Sequence, residues 1–310
     1  MSTAVQCSFN FIQLPFGFCQ PKIKTLSQFT STLHAPFSNS TPSSGSSNLK
    51  LSAKRNSSRV CVVVSEENPG NSWLWDVNGL KLLVDPILLS DLPDQIDCLL
   101  ITQSLDDHCH LKTLRPLSKK YPDLRVIATP NAKALLDPLF SNVIYLEPGQ
   151  SYDISVGDNS NVKVQATAGP VLGPPWQRPE NGYIVTSPRD QLSLYYEPHC
   201  VYDKTSIDKE QADIVITPVI KQLLPGLTLV SGQEDAVKLA KLLNAKFIVP
   251  MKNGDLDSKG LLSKLIRSEG TIESFKAWFL GIISKELPQV QVLEPTPGEP
   301  LEVPPPQDLS

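Results

Sequence analysis

The sequence predicts an α+β chain in which two β-sheets pack face to face with helices on their outer sides. Three observations carry this prediction. Short apolar runs of strand length recur in two groups, helical periodicity follows each group, and Asn78-Gly79 joins two of the earliest runs as a strong hairpin signal. Strands and helices that are apolar on one side must cover that side with another element, and a helix-flanked pair of sheets does this for both kinds.

In chain order, the early strand-type runs cover residues 72–77, 80–84, 98–102 and 125–128. Further runs follow at 143–146, 162–167, 182–186, 192–197, 214–218 and 246–250, with loops rich in Gly, Pro, Asp and Asn. Helical spacing of apolar residues marks 111–121, 131–140, 232–243, 258–267 and 272–285. In the third of these helices Val237, Ala240, Leu242 and Leu243 are apolar, while Glu234 and Asp235 crowd the first turn, where the helix dipole favours acids. A last short strand is expected near 289–292, and the prolines from Pro295 onward read as a fraying tail, with 304–310 outside any domain.

The front of the chain has a different composition. Residues 1–65 contain no Asp or Glu, are dense in Ser and Thr, and carry only Lys22, Lys24, Lys50, Lys54, Arg55 and Arg59 as charges. This is the composition of an organellar transit peptide, and scarce Arg with abundant Ser points to the chloroplast stroma. The expected transit segment is 1–61, with processing near Arg59-Val60-Cys61-Val62. A Ser-rich regulatory tail is the alternative reading.

Over the whole chain of 310 residues, 40% hydrophobic and 19% charged content is that of a soluble globular protein. A net charge of −4 provides no broad attractive field, so neither nucleic acid nor a membrane surface is an expected partner. No run of about 18 apolar residues suggests a membrane helix. Cys98 falls in an apolar run and reads as a core residue, whereas Cys109 and Cys200 each directly follow a histidine.

The polar constellation Thr102-Gln103-Ser104-Leu105-Asp106-Asp107-His108-Cys109-His110 stands where an apolar strand ends and a helix begins. Two of the chain's four histidines are here; His199 follows another strand in Tyr195-Tyr196-Glu197-Pro198-His199-Cys200. Imidazole and carboxylate are the usual donors to Zn²⁺ and non-haem iron. Convergence of the two strand ends would make Asp107, His108, His110, Glu197 and His199 candidate metal ligands. The alternative is structural, with Asp107 capping the following helix and His108 in an ordinary hydrogen bond. Trp176 and Arg178, in the Pro- and Gly-rich segment 169–183, are candidate substrate contacts for a planar or anionic group.

Together these motifs resemble the metallo-β-lactamase superfamily, especially its sugar-lactonase-like hydrolase branch, over residues 71–303. Leu82-Leu83-Val84-Asp85-Pro86 resembles that branch's early Asp-Pro, and 101–108 stands where the family carries Thr-His-x-His-x-Asp-His. The strand at 214–219, the helix at 233–243 and Phe247-Ile248-Val249-Pro250-Met251 follow in the family's order. The resemblance implies a single-domain four-layer αββα sandwich. It also implies a depleted metal site, because Gln103 and Leu105 replace two histidines of the family motif, no histidine stands near Ala168-Gly169-Pro170, His199 stands roughly at a bridging aspartate, and Lys252 replaces the last histidine.

On this resemblance, a plant plastid member would keep at most one divalent ion, zinc first and manganese or iron next. Asp107, His108 and Lys252 would then be the catalytic residues, with Asp107 orienting a water and Lys252 stabilising a developing oxyanion. The expected reaction is hydrolysis of an ester, lactone or phosphoester of small-molecule size. The alternative is a catalytically inactive module that binds a metabolite or a partner protein.

Overall fold

The computed structural model describes residues 60–64, 71–87, 93–156, 160–172, 176–187, 192–252 and 265–304. These lie in one unit, Arg55–Ser310.

The first sheet forms in the front half of the chain. Its strands are β1 (Val60–Val64), β2 (Trp73–Val77), β3 (Leu80–Val84), β4 (Cys98–Ile101), β5 (Arg125–Ala128) and β6 (Val143–Tyr145). β2 and β3 are joined by the expected hairpin, with Asn78 at φ 56° and Gly79 at φ 83°. Positive φ at both positions matches the turn twist to that of the strands. From β3 to β6 the pairing is parallel, with helix α1 (Leu111–Lys120) crossing between β4 and β5.

The second sheet contains β7 (Ser151–Val156), β8 (Ser160–Ala168), β9 (Asn181–Ser187), β10 (Leu192–Tyr196), β11 (Ile214–Pro218), β14 (Phe247–Met251) and β16 (Gln291–Val292). A separate three-stranded sheet is formed by β12 (Lys221–Leu224), β13 (Leu227–Val230) and β15 (Arg267–Glu269). The last strand, β17 (Leu301–Val303), returns to the first sheet and pairs with β1.

Side-chain alternation turns these sheets into four layers. Trp75, Leu82, Val84, Cys98 and Leu100 from the first sheet meet Val164, Tyr183, Leu194, Ile216 and Val249 from the second in one buried cluster. The opposite face of the first sheet, with Leu83, Leu99 and Val126, is covered by Leu114 and Leu117 of α1 and by Leu136 of α2 (Lys133–Leu136). On the second sheet, Ile184, Tyr195, Val215 and Ile248 are covered by α4 (Gln233–Leu242) and α5 (Ile272–Trp278). Two short helices, α3 (Lys204–Ile207) and α6 (Ser284–Glu286), complete the set. The predicted αββα sandwich is therefore the observed one.

Several expectations are corrected. The expected helix at 131–140 is a 3₁₀ turn, Pro130–Ala132, followed by the single turn of α2. The helix expected over 272–285 passes from α5 through a π turn at Phe279–Ile283 into α6. Residues 258–264 of the helix expected at 258–267 lie outside the described residues, and Arg267 opens a strand. The proline-rich stretch does not fray from residue 294, because β17 pairs there through Leu301, Glu302 and Val303. Of the expected transit segment, 1–59 lies outside the described residues, while Val60 and Cys61 open β1 and pair with both β2 and β17. No helix among the described residues is long and apolar enough to cross a membrane.

Candidate metal centre

The parallel pairing of β3 with β4 fixes the base of the site. Val84 stands opposite Leu100, so Asp85 and Thr102 leave the two strands side by side. Asp85 is fully buried, at φ 42°, and its backbone N–H donates to Leu100 O at 3.1 Å. Its carboxylate accepts the Thr102 N–H at 2.8 Å and the Thr102 hydroxyl at 2.5 Å. The same oxygen, Oδ2, lies 2.9 Å from His108 Nδ1. A buried carboxylate must be bonded to be tolerated, and Asp85 is bonded on both oxygens.

The turn after Thr102 then presents the remaining groups. His108 and Cys109 both donate backbone N–H groups to Leu105 O, and Asn71 Nδ2 donates to Asp107 O at 3.0 Å. With Nδ1 fixed by Asp85, the fully buried His108 leaves Nε2 without a hydrogen-bond partner, 3.6 Å from Asp107 Oδ2. Burial pushes the His108 imidazolium down, but Asp107, then Asp85 and Glu197, outweigh it and raise its pKa to about 9.

The other half of the site comes from the end of β10. Glu197 is fully buried, and its Oε2 accepts the backbone N–H groups of His199 at 3.2 Å and Val201 at 2.7 Å. These bonds shape the turn, which passes through Cys200 at φ 51° and presents His199. Gly182 in β9 makes room beneath it, since a Cβ there would meet Thr167 Oγ1 at 2.7 Å and Glu197 Cβ at 3.1 Å. The His108 and His199 rings lie 5.3 Å apart at 53°. Ligand atoms of Asp107, His108 and His199 all fall within 4.8 Å of one another.

That donor set fits one metal ion. Two imidazoles and one carboxylate, with at least one coordination position left open, is a normal catalytic arrangement. His108 already has the outer carboxylate that usually fixes a ligating imidazole, and its free nitrogen is the orphaned one. The expected first-site position is otherwise filled: Gln103 is fully buried, and its amide nitrogen lies 2.7 Å from His199 Nδ1 and 3.5 Å from Glu197 Oε1. Leu105 is 46% exposed and has no donor atom.

The remaining sequence candidates are not among the three whose ligand atoms converge. His110 is the N-cap residue of α1, in place of Asp107, and its Nδ1 lies 2.8 Å from Thr113 Oγ1; burial lowers its pKa. Glu197 supports the turn from behind. Lys252 is exposed after β14; the Glu273 carboxyl, lowered first by its own backbone N–H and the Thr271 hydroxyl, also feels the Lys252 charge. Trp176 is 84% exposed, and the Arg178 guanidinium pairs with Glu147 at 3.0 Å. Cys109 and Cys200 are buried thiols, pushed up to about 12 and beyond by desolvation, so neither is a ready thiolate.

Residue-level reading missed Asp85, Gln103 and Glu180 as members of the site. Asp85 had a signal in its Asp-Pro pair at a strand end. Gln103 was legible only as a lost histidine. Glu180 is buried behind Ser104, whose hydroxyl donates to it at 2.6 Å, and no local motif marks it.

Comparison with known proteins agrees with this construction. Residues 69–252 match the model of the beta-lactamase superfamily domain. The fold is shared with CmlA, a diiron β-hydroxylase from Streptomyces venezuelae, at 16% identity and TM-score 0.55, covering 80% of this chain and 54% of that one. The chain thus spans about half of the hydroxylase's length. An isothiocyanate hydrolase from Delia radicum gut bacteria aligns at 16% identity and TM-score 0.54, over 78% of this chain and 98% of that one. YhfI from Bacillus subtilis, a metallo-beta-lactamase fold protein, aligns at 14% identity and TM-score 0.52, over 78% and 99%. A search of curated proteins finds no match. With its sandwich, its motif order and more than half of its length in agreement, the chain belongs to the beta-lactamase superfamily.

Proposed function

We propose that the chain is a metal-dependent hydrolase that uses one divalent ion, held by Asp107, His108 and His199, against an ester, lactone or phosphoester. The observation that carries this reading is the buried, unpartnered Nε2 of His108, grouped with donors from Asp107 and His199 while Nδ1 is locked to Asp85. Zinc is the first choice for two imidazoles and a carboxylate, with manganese or iron next. When bound, such an ion supplies Lewis acidity and lowers the pKa of a water to about 7.

The chain's own residues have separate tasks. Asp85 holds the His108 tautomer. Asp107, exposed at the mouth, is placed to orient a water or hold a proton at its carboxylate. Trp176 offers an open aromatic face to substrate, and Lys252 and Arg178 offer cations to an anionic portion of it. Solved structures of this fold include both a hydrolase and a diiron hydroxylase; the replacement of two motif histidines by Gln103 and Leu105 favours a single ion here.

Elemental analysis of the full chain, prepared without a metal-binding tag, tests the reading. About one equivalent of metal is expected in the wild type and none in His199→Ala. No metal after reconstitution would transfer the chain to the alternative, a catalytically inactive module for a metabolite or partner protein. The contact between Gln103 and His199 Nδ1 is the observation that favours it.

The acid-free first 65 residues support import into the chloroplast stroma. Because Val60, Val62 and Val64 are buried in β1, we place the mature N-terminus at or before Val60 rather than after Cys61. Import into isolated chloroplasts followed by N-terminal sequencing checks both; a first residue beyond Val60 would refute the placement.

A further inference from the structure

Gln103 does more than fill the space of a missing ligand. Its amide nitrogen faces His199 Nδ1 at 2.7 Å and the carboxylate oxygen Glu197 Oε1 at 3.5 Å, while its Oε1 is buried without a partner. Glu197 cannot turn away, because its Oε2 is held by the backbone N–H groups of His199 and Val201. A carboxylate accepts and cannot donate, so it selects the amide's N–H side. The amide then donates to Nδ1, and a neutral imidazole that accepts at Nδ1 carries its proton on Nε2.

In that state His199 has no lone pair to give: one nitrogen's is engaged by Gln103 and the other nitrogen is protonated. Turning the amide by half a rotation would let Oε1 accept Nδ1–H and free Nε2 for coordination. It would also set two acceptors, Gln103 Oε1 and Glu197 Oε1, against each other in a buried site.

We propose that Gln103 gates metal loading: its amide, oriented by Glu197, holds His199 in the Nε2–H tautomer and withholds it as a ligand until the amide turns. This rests on the reading of Asp107, His108 and His199 as a metal site. The gate makes a prediction of unusual sign. An outer partner that merely supports a ligating histidine weakens binding roughly 10- to 100-fold when removed. Gln103→Met should instead tighten zinc binding about tenfold, since it removes the competing donor and leaves Glu197 Oε1, 3.7 Å from Nδ1, as the nearest acceptor for Nδ1–H.

The test uses the full chain with ¹⁵N-labelled histidine, metal-free and then titrated with zinc. The metal-free wild type should show His199 protonated on Nε2, moving to Nδ1–H as zinc binds; metal-free Gln103→Met should show Nδ1–H from the start. The wild-type tautomer needs no variant, so a poorly folding substitution does not remove the test. Nδ1–H in a metal-free wild type that binds zinc, or weaker binding by Gln103→Met, would overturn the gate and leave the metal site standing. Zinc binding by neither chain, with His199 protonated on Nε2, would sink the metal-site reading and with it the gate, while leaving the tautomer assignment intact.

Discussion

His108→Ala is expected to reduce metal uptake from about one equivalent to none and to abolish any metal-dependent hydrolysis. It should also destabilise the metal-free chain by roughly 3 kcal/mol at pH 6, the equivalent of a pKa raised from 6.5 to about 9. The buried imidazolium offsets the carboxylates of Asp107 and Asp85, and removing one partner of a buried pair leaves the other uncompensated. Because the folded value lies above the unfolded one, this stabilisation is complete below about pH 6.5 and is lost as pH rises through about 9. Urea unfolding of the metal-free wild type and variant at pH 6 and pH 10 measures it. The gap between them should shrink at the higher pH, and a gap that does not depend on pH would contradict the assignment of charge to His108.

Asp85→Asn should weaken metal binding roughly 10- to 100-fold while leaving the fold in place. Asn tolerates the positive φ of this position and preserves an acceptor for the Thr102 N–H. Its amide N–H₂ would face the Thr102 hydroxyl and His108 Nδ1 where a carboxylate oxygen now accepts. His108 would then accept at Nδ1 and carry its proton on Nε2, the nitrogen that must be free to coordinate. Zinc titration of the variant, with circular dichroism to verify the fold, checks this. Undiminished affinity would mean that Asp85 serves the turn alone and not the histidine.

The parts of this molecule that were legible in its sequence are those whose signals are local. β3, β5 and β11 lie within the expected bounds because their apolar runs end at polar or turn residues. The strands missed are those whose surroundings hide them. β1 lies within the acid-free first 65 residues, and β7 is an edge strand with exposed Ser151, Asp153 and Ser155. β12, β13 and β15 are short and largely unburied, and β17 lies among prolines. At the site, histidine scarcity made His108 and His199 visible. The partnership of His108 with Asp85, 23 residues earlier, depends on β3 and β4 pairing in parallel, and no local spacing encodes that. The amide of Gln103 reaches His199 across 96 positions, between the ends of strands in different sheets.

The pairing of β1 with β17 has a kinetic consequence. Val60 stands opposite Val303, so the first sheet cannot be completed until synthesis has passed Val303. Until then the outer edge of β1 offers unpaired backbone N–H and C=O groups on a run of valines, a form prone to pair with other chains. Contacts of such long separation slow folding, because a long loop must close before they form. Docking of β17 should accordingly be a late step, and a molecule shortened before Leu301 would retain most of its core while leaving this edge open to self-association.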